Sequence, residues 1–151
     1  MVSALDIDLP VIRPPSGEAF PFCDVAEYLP AYGLPNLPGV TFVYAHARAG
    51  MFLSLLTASR VEDGSGMLGV TVDLYASDAY RHRYAITEVH RHLRSLDVVN
   101  EIAGNALVLQ TSETPSDTGT KLVVIARPIG QPTRTSTAAA RPVARPRDCR
   151  G

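Results

Sequence analysis

Apolar and polar residues alternate at period two in several short stretches, and these stretches set the expected architecture. Residues 40–47, "VTFVYAHA", place Val40, Phe42, Tyr44 and His46 on one side of β-branched and aromatic chain, which predicts a strand. Residues 67–75, "MLGVTVDLY", and 80–93, "YRHRYAITEVHRHL", alternate likewise around "ASDA" and predict an antiparallel hairpin. Two further strands are expected at "ALVLQTS" and "KLVVIARP", on either side of the loop "ETPSDTGT". Between the first strand and the hairpin, "GMFLSLLTASRV" changes to helical spacing, with Met51, Leu55 and Ala58 on one side and Phe52 and Leu56 beside them, so a short amphipathic helix is predicted. "EDGSG" then reads as a loop, and "SLDVVNEIAGN" as turn-rich.

The first forty residues carry seven of the twelve prolines and should be mostly loop. Within them "LDIDLPVI" alternates and reads as a short edge strand carrying Pro10. Asp24 followed by Glu27 has the spacing of a capping box and predicts a helical turn through "VAEYL". Six or more short strands with few helices point to a β-barrel or sandwich.

With 151 residues, 46% of them hydrophobic, the chain has material for one domain and one core. The net charge of -1 conceals an asymmetry. Residues 1–130 hold nine Lys and Arg against fourteen Asp and Glu, whereas residues 131–151 hold five Arg against one Asp. Residues 1–130 are therefore expected to form the domain, and the Pro-, Arg- and Ala-rich residues 131–151 a disordered tail. Basic charge confined to that tail, without interleaved aromatics, gives no reason to expect a nucleic-acid partner. No run of roughly 18 apolar residues occurs in the sequence. Cys23 and Cys149 have no metal-ligand spacing and suggest no disulfide framework, and Cys23 is read as structural.

Candidate chemistry is sparse. His46 ends an apolar strand, where a histidine taken alone is usually a packed rim residue. His82, His90 and His92 are interleaved with Arg81, Arg83, Arg91 and Arg94, which opposes a bound cation, so a solvated strand face is expected with no metal and no cofactor. No phosphate-binding glycine loop is present.

Taken together, "TFVYAHARAGMF", "LVLQTSE" and "KLVVIAR" resemble the sortase family, bacterial surface transpeptidases that cleave a peptide sorting signal and join it to an amine. Ala45-His46 stands where those enzymes carry their catalytic histidine. "VLQTS" at 108–112 matches the family pattern Thr-Leu-x-Thr-Cys at Leu109 and Thr111, with Ser112 in the position of the nucleophilic cysteine. Lys121, before "LVVIA", stands in the position of the arginine. The segments "VSALDIDLPVI" and "CDVAEYL" are also similar to regions that precede the histidine, so the resemblance covers about residues 2–128.

The resemblance implies an eight-stranded, closed or nearly closed β-barrel with short helices. It implies acyl transfer at His46, Ser112 and Lys121, a peptide substrate, an amine acceptor and an extracytoplasmic, cell-surface location. The two replacements modify that expectation. A serine hydroxyl, unlike a thiol, needs a general base, so His46 requires an orienting acid, for which Asp97 and Glu113 are the sequence candidates. The ester that Ser112 forms would favour slow hydrolysis over transfer. Lys121 offers a point charge where arginine offers a planar fork, or else a base in a Ser-Lys pair. The alternative expectation is a catalytically inactive sortase-like module that binds peptide or serves assembly.

Overall fold

The computed structural model describes residues 1–15, 21–114, 119–136 and 142–149. Its strands are β1 (Val11–Ile12), β2 (Ala26–Tyr28), β3 (Val40–Tyr44), β4 (Thr71–Tyr75), β5 (Tyr80–Leu93), β6 (Ala106–Ser112), β7 (Lys121–Pro128) and β8 (Thr133–Arg134). Two short helices, α1 (Leu53–Ser59) and α2 (Asp97–Asn100), and two 3₁₀ turns complete the elements. The strands form one sheet in the order β1-β2-β3-β6-β7-β5-β4, with β8 pairing β5. No ladder joins β1 to β4 among the described residues. Instead the seam is bridged where Met1 and Asp73 exchange backbone hydrogen bonds of 2.7 and 2.9 Å. The mainly β expectation therefore holds, as a sheet curled into a barrel that is not fully laddered.

Alternation along the strands divides the apolar residues into two clusters, as a period of two requires. Val43, Ala45, Leu107, Leu109, Leu122, Val124 and Ala126 face the barrel interior, where Met51, Phe52, Leu55 and Leu56 from α1 and its approach close it. Phe42, Val108, Val123 and Ile125 face outward and are covered by Val99, Leu96, Val98 and Ile102 around α2 and by Leu29 and Tyr32. Tyr84 lies in the interior cluster, and burial pushes its hydroxyl pKa up to about 12.

Three expectations for the N-terminal region change. The edge strand lies after Pro10, at Val11–Ile12, and runs parallel to β2, while residues 3–5 make a 3₁₀ turn. The helical turn after Asp24 is instead a strand: Asp24 sits at φ 67°, and Glu27 and Tyr28 pair with Tyr44 and Val43 of β3. Sheet pairing here outweighs a local capping pattern. "EDGSG" is part of a 3₁₀ turn with left-handed Asp63 and Gly64.

The cysteines also differ from expectation, for Cys23 and Cys149 form a disulfide with a Cα–Cα separation of 5.3 Å. Spacing along the sequence could not show this, because the partners lie 126 residues apart and meet only in the fold. The described part of the predicted disordered tail is likewise tied back. Thr133 and Arg134 pair with Arg81 and Tyr80 of β5, Arg147 bridges Cys23, and Arg147 Nε meets Asp24 Oδ2 at 3.0 Å. The rest of that tail, and residues 115–118 of the predicted loop, lie outside the described residues.

Candidate active site

The C-terminal ends of the parallel strands β3 and β6 are tied together one residue short of the candidate histidine. Ala45 N–H donates to Gln110 O at 3.2 Å, and the buried Thr111 hydroxyl donates to Ala45 O at 2.8 Å. Tyr44, the last residue of β3, is the register partner of Gln110, and His46 lies two residues beyond it as Ser112 lies two beyond Gln110. The His46 carbonyl accepts from Phe52 N–H at 3.0 Å, which fixes its backbone from the side of α1. Thr111, read from sequence only as a motif position, is thus the clasp between the two strand ends.

Ser112 and Lys121 are register partners across the antiparallel β6–β7 pair. The Lys121 ammonium donates to Ser112 Oγ at 2.8 Å, and both residues are half-buried. Ser112 and Lys121 continue the outward alternation of Val108 and Gln110 and of Val123 and Ile125 at one end of the sheet, and His46 follows β3 at that same end.

His46 makes a different contact. Its Nε2 lies 2.7 Å from Pro21 O, and since a carbonyl only accepts, Nε2 carries the proton and the neutral ring keeps a lone pair on Nδ1. No hydrogen bond joins His46 to Ser112 in this arrangement. Neither sequence candidate for the orienting acid reaches the ring. Asp97 accepts from Ser95 Oγ at 2.7 Å. Glu113 accepts from the His92 backbone N–H at 2.9 Å and lies 3.1 Å from His92 Nδ1 and 3.5 Å from Arg91 Nε.

The remaining histidines are dispersed. His82 is buried and faces Asp78 at 3.5 Å, so it does not sit on a solvated face as the sequence suggests. His90 meets Glu88 at 2.9 Å. A register shift between His90 and Leu93, with His92 at φ 60°, breaks the face that His90 and His92 were expected to share. No group of three or more His, Cys, Asp or Glu among the described residues could hold a metal ion.

At the far end of the strands a cavity of about 270 Å³ is lined by Gly39, Thr41, His82, Asn105 and Pro128. Gly39 and Asn105 precede β3 and β6, whereas His46 and Ser112 stand at their other ends.

No protein-family model matches this sequence. No curated protein matches it either. Solved structures do. Sortase C of Streptococcus pneumoniae superposes over 89% of this chain and 68% of its own, with a TM-score of 0.64 and 17% identity. Listeria monocytogenes sortase A superposes over 90% of this chain and 88% of its own, with a TM-score of 0.67 and 14% identity. Sortase C1 of Streptococcus agalactiae covers 87% of this chain and 66% of its own at a TM-score of 0.67 and 15% identity. Identities this low show a shared fold, and they leave the chemistry to be argued from the residues.

Proposed function

We propose that this sortase-fold chain is an acyl-transfer enzyme acting on a peptide, with Ser112 as nucleophile. The carrying observation is the 2.8 Å contact between Lys121 Nζ and Ser112 Oγ. A cation in that place sits where it can bind the oxyanion of an attacked carbonyl, acting as a point charge. Deprotonated, it would be the base of a Ser-Lys pair. His46, just past the end of the neighbouring strand β3, is the second proton-handling group.

In the proposed reaction Ser112 Oγ attacks a peptide carbonyl and gives its proton to the base. The C–N bond breaks as the leaving amine takes a proton, and an ester joins Ser112 to the acyl part. Water or an amine then displaces Ser112 and restores its hydroxyl. An ester reacts with amines less readily than a thioester does, so hydrolysis gains on transfer relative to a cysteine enzyme.

No helix among the described residues is long and apolar enough to cross a membrane. The Cys23–Cys149 disulfide supports an oxidising, extracytoplasmic location, where such bridges persist.

The second reading is a peptide-binding module without catalysis, and one observation favours it: the His46 ring is bonded to Pro21 O and not to Ser112. A serine-directed phosphonate distinguishes the two. Acyl transfer predicts covalent labelling of the wild type and none of Ser112→Ala, read by intact mass. Equal labelling of both proteins, or of neither, supports the binding module. Ser112→Cys should then cleave a sorting-signal peptide faster than the wild type; a folded but inactive Ser112→Cys would show that the scaffold no longer supports the reaction.

A further inference from the structure

The peptide unit between Pro21 and Phe22 is held at both ends. Its carbonyl oxygen accepts from His46 Nε2 at 2.7 Å, and its N–H donates to Glu27 Oε1 at 2.8 Å. The other carboxyl oxygen of Glu27 accepts from the Tyr44 hydroxyl at 2.8 Å. Both oxygens accept, as they do in an ionised carboxylate. Glu27 is only 1% exposed, and among the described residues no lysine, arginine or histidine pairs with it. Burial, and then the hydrogen bond to Glu27, push the Tyr44 hydroxyl well above its ordinary pKa, so Tyr44 remains a donor.

A buried carboxylate without a cation is costly. Clamping the Pro21–Phe22 peptide unit would need only a neutral acceptor. What the charge adds is direction: donation of the Phe22 N–H to an anion draws electron density onto the Pro21 carbonyl oxygen. Linked hydrogen bonds strengthen one another in this way by roughly 10–30% per bond. That oxygen then holds the proton on His46 Nε2, keeps Nδ1 as the lone-pair nitrogen, and stabilises the ring when it accepts a second proton.

We propose that Glu27 is the positioning residue for His46 and acts through the intervening Pro21–Phe22 peptide unit, not by direct contact. It takes the orienting role that Asp97 and Glu113 are too far engaged elsewhere to fill. Glu27 touches no reacting atom. Its catalytic meaning rests on the acyl-transfer reading, but the relay itself has an independent readout.

That readout is the ¹⁵N chemical shifts of the His46 imidazole together with the rate of phosphonate labelling. In the wild type the Nε2–H tautomer should dominate. Glu27→Gln keeps the shape and an acceptor for the Phe22 N–H but removes the charge. It should give a mixture of tautomers and slow Ser112 labelling by about 10- to 100-fold, the size of effect that loss of an outer partner has on a metal-ligating histidine. Unchanged tautomer and unchanged rate would overturn the relay while leaving Ser112 a nucleophile. A tautomer shift without any wild-type labelling would establish the relay and refute acyl transfer.

If Glu27→Gln does not fold, the coupling is read from the other end. His46 is half-exposed, and His46→Ala removes the donor to Pro21 O. The Phe22 amide proton should then move upfield as its bond to Glu27 weakens, and a Phe22 resonance that stays in place overturns the proposal.

Discussion

Ser112 and Lys121 meet because their Cα atoms are partners across an antiparallel pair, so their contact follows from register and not from any loop. Residue-scale demands of another kind appear at Gly64, which holds φ 81° in the turn after α1. A Cβ there would lie 2.6 Å from Val89 Cγ1, too close for either residue to stay in place. Gly64→Ala therefore combines a left-handed backbone with overpacking and should destabilise the protein by about 1–3 kcal/mol. Urea unfolding checks this, and a loss below about 0.5 kcal/mol, the range of neutral surface changes, would show that Val89 yields freely. Removing the methyls in Gly64→Ala/Val89→Ala should relieve the steric part only. Among the proposed site residues, His46, Ser112 and Lys121 are picked out in the sequence by the resemblance to the sortase motifs, which place their catalytic residues at the ends of apolar strands. Glu27 is not. Its spacing from Asp24 imitates a capping box, and its connection to His46 runs through a backbone unit that has no side-chain signature.

The elements divide by how much of their order comes from their own residues. β6 and β7 occupy the predicted stretches because continuous Val, Leu and Ile runs are buried on both faces, inside the barrel and beneath α2. The β4–β5 hairpin is equally legible, since alternating residues flank a short turn in which Ala79 adopts φ 65°. β2 was not, because three residues gain strand geometry only by pairing with β1 and β3. The hairpin also carries the fork in which Arg83 Nε and Nη2 donate to the two oxygens of Asp73 at 2.8 and 3.0 Å. That hydrogen bond, opposed by burial and assisted by the charges of Arg83 and Arg81, holds the Asp73 carboxyl below its usual pKa. A depressed carboxylate adds stability above the unfolded value of about 4 and loses it as the pH falls through the folded value. The stability gap between wild type and Arg83→Ala should be constant above about pH 5 and close below it. Urea midpoints across that range measure the gap, and one that persisted unchanged into strong acid would show that Arg83 stabilises the hairpin by packing alone.

Over the whole molecule, the sequence suggests a body and a loose tail, and the structure joins the described part of that tail to the body. The link is a disulfide, a backbone bridge at Cys23 and the Asp24–Arg147 pair, reinforced where Arg48 Nη2 donates to Cys149 O at 3.2 Å. Composition misleads here because disorder was inferred from a lack of core residues, and covalent tethering needs none. Closing a loop of this size should contribute about 2–5 kcal/mol. Cys149→Ser, or mild reduction, should lower the unfolding free energy by that amount, and equal stability of reduced and oxidised protein would refute it.

The same bridge sets an order of assembly. Cys23 precedes the strands that carry His46, Ser112 and Lys121, and its partner follows all of them by sequence. At about 5–20 residues per second, the 126 residues from the one after Cys23 to Cys149 itself take roughly 6–25 s to synthesise. During that interval the segment whose Pro21 carbonyl accepts the His46 hydrogen bond has no covalent tether to the C-terminal residues, and the bonds of its Pro21–Phe22 peptide unit to His46 and Glu27 are what hold it. A covalent hold on the segment that contacts His46 thus comes only after the chain through Cys149 has been made.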